Sequence, residues 1–162
     1  MLVAVVSDTH LPRRGRAIPP ECLERLRAAD LILHAGDLVT ASVLRDLEAL
    51  GPLVAAVHGN VDDAEVRSLL PETRVAEAAG ARIGLIHDAG LAVGRLGRMR
   101  ARFPDADAVV FGHSHIPLHE EGGGFQIFNP GSPTDRRRQP AHTMGLARVE
   151  DGRILFEIVR LD

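Results

Sequence analysis

Apolar residues run unbroken from Leu2 to Val6 and stop at the polar quartet Ser7-Asp8-Thr9-His10. A short continuous apolar run reads as a strand buried on both faces, the kind found in parallel sheets covered by helices. The arrangement returns twice: Leu31 to His34 precedes Gly36-Asp37, and Leu53 to Val57 precedes Gly59-Asn60. Between these runs the period becomes helical. Glu21 to Ala29 follows Pro19-Pro20, and Ala41 to Leu50 sets Val43, Leu44, Leu47 and Leu50 on one face before Gly51-Pro52 stops it. Further helices are predicted over Asp63 to Leu70, capped by Asp62 or Asp63 and stopped by Pro71, and over Leu91 to Phe103, ended by Pro104.

The second half reads as strands: Arg74 to Ala79, Arg82 to His87, Ala108 to Phe111, Phe125 to Phe128, Thr143 to Val149 and Arg153 to Val159. Asp151-Gly152 marks a hairpin between the last two. Parallel βαβ units followed by antiparallel strands predict an α/β chain of two stacked sheets flanked by helices, one domain over residues 1–162 without linker or repeat. Sites in such folds gather at the carboxyl ends of strands.

Composition narrows the chemistry. A chain of 162 residues leaves no room for a second catalytic domain, and 45% hydrophobic with 25% charged residues is ordinary globular usage. The net charge of -3 gives no overall attraction to nucleic acid or anionic lipid, and five Phe with no Trp or Tyr make no platform for stacking bases. Cys22 is the only cysteine, which excludes an intramolecular disulfide and thiolate zinc clusters. All 19 basic residues are Arg, which excludes a P-loop lysine and a Schiff-base lysine. With no signal peptide and no apolar run of about 18 residues, a soluble cytoplasmic protein is expected, with no membrane partner. The oligomeric state is open, a homo-oligomer included.

Asp8 and His10 lie two residues apart just past a strand, so extended geometry would point both side chains one way. Asp-x-His alone is also an ordinary capped turn. His113-Ser114-His115, after Ala108 to Phe111 and Gly112, repeats the pattern with two imidazoles, which suit transition metals. Asp37, Asn60 and His87 each stand at the end of a similar strand and complete a mixed oxygen and nitrogen set of seven. Seven ligands exceed one ion and suit two that share Asp37 as the bridging carboxylate. Two metals about 3.5–4 Å apart can activate water and stabilise displacement at phosphorus.

The order Asp8-x-His10, Gly36-Asp37, Gly59-Asn60, His87, Gly112-His113-x-His115 resembles the signature of the calcineurin-like metallophosphoesterase superfamily. The short length and the Asn129-Pro130-Gly131-Ser132 segment are most similar to its compact prokaryotic branch, the YfcE-type phosphodiesterases. The resemblance implies a four-layer αββα sandwich and a metal-dependent phosphodiesterase or phosphatase acting on a small-molecule phosphate ester. It implies two divalent ions, commonly manganese, with iron, zinc or nickel as alternatives. One would take Asp8, His10, Asp37 and His115, the other Asp37, Asn60, His87 and His113, with Asn60 and His113 serving the substrate phosphate. It also implies an alternative, since a retromer subunit of this fold serves as a protein-binding scaffold; a mononuclear hydrolase is the third reading.

Two positions depart from the resemblance. Large relatives follow Gly-Asn with a proton-donating histidine where this chain has Val61, which leaves Asp62, His58, His119 or water as acid. Asp88-Ala89 stands where relatives have glycine after the histidine. His34, inside a strand, is expected to be buried and hydrogen-bonded, while His119 and His142 are expected in surface loops. Gly36, Gly59 and Gly112 are expected to permit tight turns, through positive φ, that let backbone approach the metals or phosphate. Arg136-Arg137-Arg138 reads first as a solvated loop, with binding of a second phosphate or an acidic partner as the alternative, and the stripe Arg95, Arg98, Arg102 reads as a solvent face.

Overall fold

The computed structural model of the chain describes residues 1–15 and 17–161. The predicted βαβ series is present as β1 (Leu2–Val6), α1 (Pro20–Arg27), β2 (Leu31–His34), α2 (Ala41–Glu48), β3 (Leu53–Ala56) and α3 (Ala64–Leu69). The rest of the chain forms β4 (Thr73–Ala78), β5 (Ala81–Ile86), α4 (Arg95–Arg102), β6 (Ala108–Val110), β7 (Leu118–Gly122), β8 (Phe125–Asn129), β9 (Thr143–Glu150) and β10 (Arg153–Arg160).

The strands form two five-stranded mixed sheets, ordered β10-β9-β1-β2-β3 and β4-β5-β6-β8-β7. In the first, β1, β2 and β3 are parallel, with Val3 beside Leu31 and Leu31 beside Leu53, while β9 and β10 run antiparallel. In the second, β5, β6 and β8 are parallel and β4 and β7 are antiparallel edges.

Alternation along β1 shows how the layers stack. Val3 and Val5 join a core with Leu33, Leu85, Val110 and Phe128, which fills the space between the sheets. Ala4 and Val6 point the other way, into a core with Leu26, Ile32, Leu47 and Val66 beneath α1, α2 and α3. On the far side, Met99 and Phe103 at α4 cover Val109, Phe111 and Ile127 of the second sheet. The result is the expected four-layer αββα sandwich, and the continuous apolar runs are explained by burial on both faces.

Three expectations need correction. Strand β7 was not predicted: Leu-His-Glu-Glu-Gly carries no apolar alternation, because an edge strand needs a partner on one side only and keeps charge on the other. His119 therefore lies on a strand and not in a loop; it is exposed, with its ring edge-on to Phe128 and Phe156. The helix expected from Leu91 begins only at Arg95, because Gly94 takes φ 72° as its cap. The arginine stripe is also more than solvated charge. Arg95 donates to the carbonyl of Gly90 with its guanidinium 5.0 Å from the Phe111 ring centroid, and Arg98 donates to the carbonyls of Val93, Ala89 and Leu91.

Candidate metal centre

Five strands end at one place. Asp8 follows β1, Asp37 follows β2, Asn60 follows β3, His87 follows β5, and His113 and His115 follow β6, so both sheets deliver side chains to a shared rim. Backbone ladders extend across the loops: the N–H of Asp8 donates to the Gly36 carbonyl, that of His10 to the Asp37 carbonyl, and that of Gly112 to the His87 carbonyl.

The loops are not extended, which corrects the reason given for convergence. Asp8, His10, Asp37, His113 and His115 have φ of 55°, 48°, 60°, 69° and 59°, the left-handed region that non-glycine residues occupy at a cost. Asp8 and His10 converge through that turn, with His10 Nε2 3.6 Å from Asp8 Oδ1. His113 and His115 do not work as a same-sided pair. His115 Nε2 lies 3.4 Å from Asp8 Oδ1, whereas His113 Nδ1 contacts Asn60 Oδ1 at 3.0 Å.

The seven sequence-derived residues are thus in one cluster. Asp37 Oδ2 stands between two imidazoles, 3.5 Å from His10 Nε2 and 3.2 Å from His87 Nε2. Asn60 Oδ1 is 3.1 Å from His87 Nε2. Ligand atoms of Asp8, His10 and His115 lie within 4.8 Å of one another, as do those of Asp8, Asp37 and His87. Asp8 Oδ1, His10 Nε2 and His115 Nε2 are buried without a hydrogen-bond partner, held near one another only by ion pairs of 3.4 and 3.6 Å, an arrangement that a shared cation would satisfy. The tautomers also fit a metal: Nδ1–H of His87 donates to the Ala35 carbonyl at 2.7 Å and Nδ1–H of His115 to the Asp135 carbonyl, leaving each Nε2 lone pair for an ion.

Electrostatics agree. Burial opposes ionisation of Asp8, but the imidazoles of His10, His115 and His87 overcome it and hold the carboxyl well below the usual range. Asp37 is also lowered, against burial, chiefly by His87. Burial pulls His87 toward neutrality, and the Asp37 and Asp8 carboxylates with the Ala35 carbonyl win, raising it to about 8. His115 is raised for the same kind of reason, with Asp8 as the main partner. His34 behaves differently. Burial lowers it to about 4, and the Gly36 N–H donates to its Nδ1, so the neutral ring donates from Nε2 to the Thr9 hydroxyl, the structural role expected of it.

Glycine is required here for two reasons. Gly36 has φ 94°, as expected, but Gly59 and Gly112 do not have positive φ; they are needed for close approach. A Cβ on Gly59 would lie 2.1 Å from Asp37 Oδ1, and one on Gly112 would lie 1.9 Å from Ser7 Oγ and 2.6 Å from Asp8 Oδ2. Gly112→Ala is expected to cost about 1–3 kcal/mol of stability, because the crowded atoms are buried. It should also displace Asp8, which thermal melts with and without manganese would show as a shrunken metal-induced shift.

The sequence placed Asn129-Pro130-Gly131-Ser132 near the site without saying what it does. Asn129 Nδ2 donates to the Gly112 carbonyl and Ser132 Oγ to the Asp8 carbonyl, so this turn clamps two ligand loops together. Asp62 holds two others. Its buried carboxylate accepts from the backbone N–H groups of Asp37, Val39 and Gly59 at 3.0, 2.6 and 2.6 Å, which engages both oxygens. Asp63, not Asp62, caps α3, accepting from the Val66 N–H. Val61 is half-buried and donates its N–H to Asp37 Oδ1. Asp88 is exposed and turns the chain by accepting from the Gly90 N–H. His58, Asn60, Arg67, His87, Asp88 and His113 line a cleft of about 340 Å³ beside the cluster, whereas His119 does not.

Comparison with known proteins identifies the family. The family model described as the calcineurin-like phosphoesterase superfamily domain matches residues 1–152. A probable metallophosphoesterase of Methanothermobacter thermautotrophicus is 37% identical over 162 residues, covering 99% of this chain and 92% of its own. A phosphodiesterase of Methanocaldococcus jannaschii is 24% identical, covering 81% of this chain and 83% of its own. Among solved structures, Vps29 of Entamoeba histolytica complexed with zinc is similar with a TM-score of 0.78 and 28% identity, each chain covered fully. With the match running through nearly the whole sequence, the chain belongs to the calcineurin-like phosphoesterase superfamily.

Proposed function

We propose that this chain, acting as a single domain, is a phosphodiesterase that holds two divalent ions, manganese foremost, with Asp37 as the shared carboxylate. The observation that carries this reading is the set of buried, unpartnered donor atoms on Asp8, His10 and His115 beside an Asp37 oxygen that faces both His10 and His87. One ion would be held by Asp8, His10, Asp37 and His115, the other by Asp37, Asn60, His87 and His113. Such ions, when bound, supply an activated water oxygen and neutralise charge that develops at phosphorus.

The residues themselves supply position. Asn60 and His113 are exposed at the cleft mouth and orient the phosphate, while Asp62 and Ser132 fix the loops that carry the ligands. Asp62 has no oxygen to spare for a leaving group, and of the three candidate acids only His58 lines the cleft. Val61 offers no proton donor, so aryl esters with good leaving groups are expected to react fastest, an unassisted departure forgoing about 10²–10⁴-fold. The deciding experiment is turnover of bis-aryl and alkyl phosphodiesters with added manganese and with chelator; equal rates in both conditions would sink the metal-dependent reading.

Protonation sets a second expectation. In the metal-free fold His87 keeps its proton up to about pH 8, against 6.5 ordinarily, and His115 is shifted the same way. The raised pKa stabilises the metal-free protein fully below pH 6.5, and that contribution is lost as pH rises through about 8. Manganese must displace the proton, so its affinity should climb about tenfold per pH unit between pH 6.5 and 8 for each proton released. Calorimetric titrations in buffers of different ionisation enthalpy read that proton release directly; a flat affinity without release would exclude histidine ligation.

The likeness to Vps29 supports a second reading, a protein-binding scaffold with little or no catalysis. The loop after β5 gives it an apolar surface, with Leu91 and Val93 83% and 89% exposed. Full manganese occupancy with no turnover of any phosphate ester would establish it over the first.

A further inference from the structure

Two arginine-bearing loops meet at the end of the site where His10 and His115 lie. One, Pro12 to Arg14, follows directly on His10; the other, Asp135 to Arg138, follows the clamp at Ser132. They are tied to each other and to the ligand loops. Arg14 Nε lies 3.6 Å from Asp135 Oδ2, the Asp135 carbonyl accepts from His115, and Thr134 Oγ1 donates to the Thr9 carbonyl. Arg137 Nη1 reaches the His113 carbonyl at 3.5 Å, the outer limit of a hydrogen bond.

Arg13, Arg14, Arg136, Arg137 and Arg138 are all exposed, and Asp135 is the single acidic side chain in the two loops. Five arginines against one aspartate stand out in a chain whose net charge is -3. The opposite flank is less positive, with Asp88 and Glu72 set against the single Arg67 along the cleft past Asn60. A charge gradient across a site selects the orientation of a charged ligand, and guanidinium forks match phosphate oxygens.

We propose that the arginine loops bind a second phosphate group, so that the preferred substrate is a bisphosphorylated molecule whose scissile ester lies at the ligand cluster and whose leaving group departs along the Asn60–Asp88 cleft. The proposal rests on the phosphoesterase reading and adds to it the substrate class. Without an aromatic platform, the subsite reads phosphate and not base.

The test pairs the p-nitrophenyl ester of thymidine 5′-phosphate with the same ester carrying a 3′-phosphate. The bisphosphate is expected to show kcat/KM higher by about tenfold at low salt, the gain fading as ionic strength rises. A triple variant, Arg13→Gln with Arg136→Gln and Arg138→Gln, should bring the ratio to about one while leaving the simpler ester unaffected; these side chains are exposed and are not among the ligands. Equal kcat/KM for both esters in the natural protein, or a ratio that survives the triple variant, overturns the proposal. Binding provides a readout without turnover: fluorescence anisotropy of labelled thymidine 3′,5′-bisphosphate, with glucose 1,6-bisphosphate as competitor. Competition by the sugar upholds a subsite that reads phosphate alone, and its failure overturns that reading and assigns the contact to the nucleoside. Arginine-dependent binding with no turnover of either ester upholds the subsite too and defeats only the phosphoesterase reading.

Discussion

Asp37→Ala is expected to abolish phosphoester turnover and to lower metal content in the same preparation, with the fold retained. Asp37 Oδ2 faces His10 and His87 at 3.5 and 3.2 Å, so its removal takes a donor from both proposed ion sites at once. The loss of activity should reach about 10³-fold or more, since ions at such a site contribute several kcal/mol of charge stabilisation. The fold survives for a physical reason. The surrounding strands are held by two apolar cores that Asp37 does not enter, and its side chain gives up only one backbone hydrogen bond, from the Val61 N–H, besides its ion pairs with His10 and His87. Metal analysis, circular dichroism and kinetics on one sample decide the matter. Substantial turnover at full metal occupancy would end the shared-carboxylate assignment.

Asp62→Ala is expected to destabilise the protein by about 3–5 kcal/mol, the cost typical of breaking a buried network. Three backbone N–H groups, on Asp37, Val39 and Gly59, lose their acceptor together in a place closed to water. A melting temperature lower by on the order of 10 °C should follow. The variant Asp62→Asn separates this from an acid role. An amide presents one acceptor oxygen and an NH₂ group that faces N–H donors, so stability should still fall, and the dependence of rate on leaving-group pKa should stay as it was. Normal stability with a steeper dependence would restore Asp62 as the leaving-group acid.

These two aspartates mark how far the sequence could be read. Asp37 was legible because it closes an apolar run with Gly36 before it; Asn60 and His113 also follow a glycine at the end of such a run, and Asp8 and His87 close theirs without one. Asp62 was not, because a carboxylate that accepts from three backbone groups leaves no trace in spacing. The left-handed turns at Asp8 and His10 were hidden for a similar reason: alternation predicts where side chains point in a strand, and the strand had ended at Val6.

By itself the sequence determined the β1 to α3 series, the two-faced burial of the strands and the identity of the seven polar residues at strand ends. All of these follow from local periodicity and from the cost of placing a polar group where a buried run stops. Only the tertiary structure decided that β7 is an edge strand, that His113 and His115 serve opposite ends of the cluster, that Gly59 and Gly112 are needed for space, and that the arginines of two distant segments share one flank. Those facts depend on which loops face each other across two packed sheets, and contact between residues about a hundred positions apart is set by packing, not by neighbours in the chain.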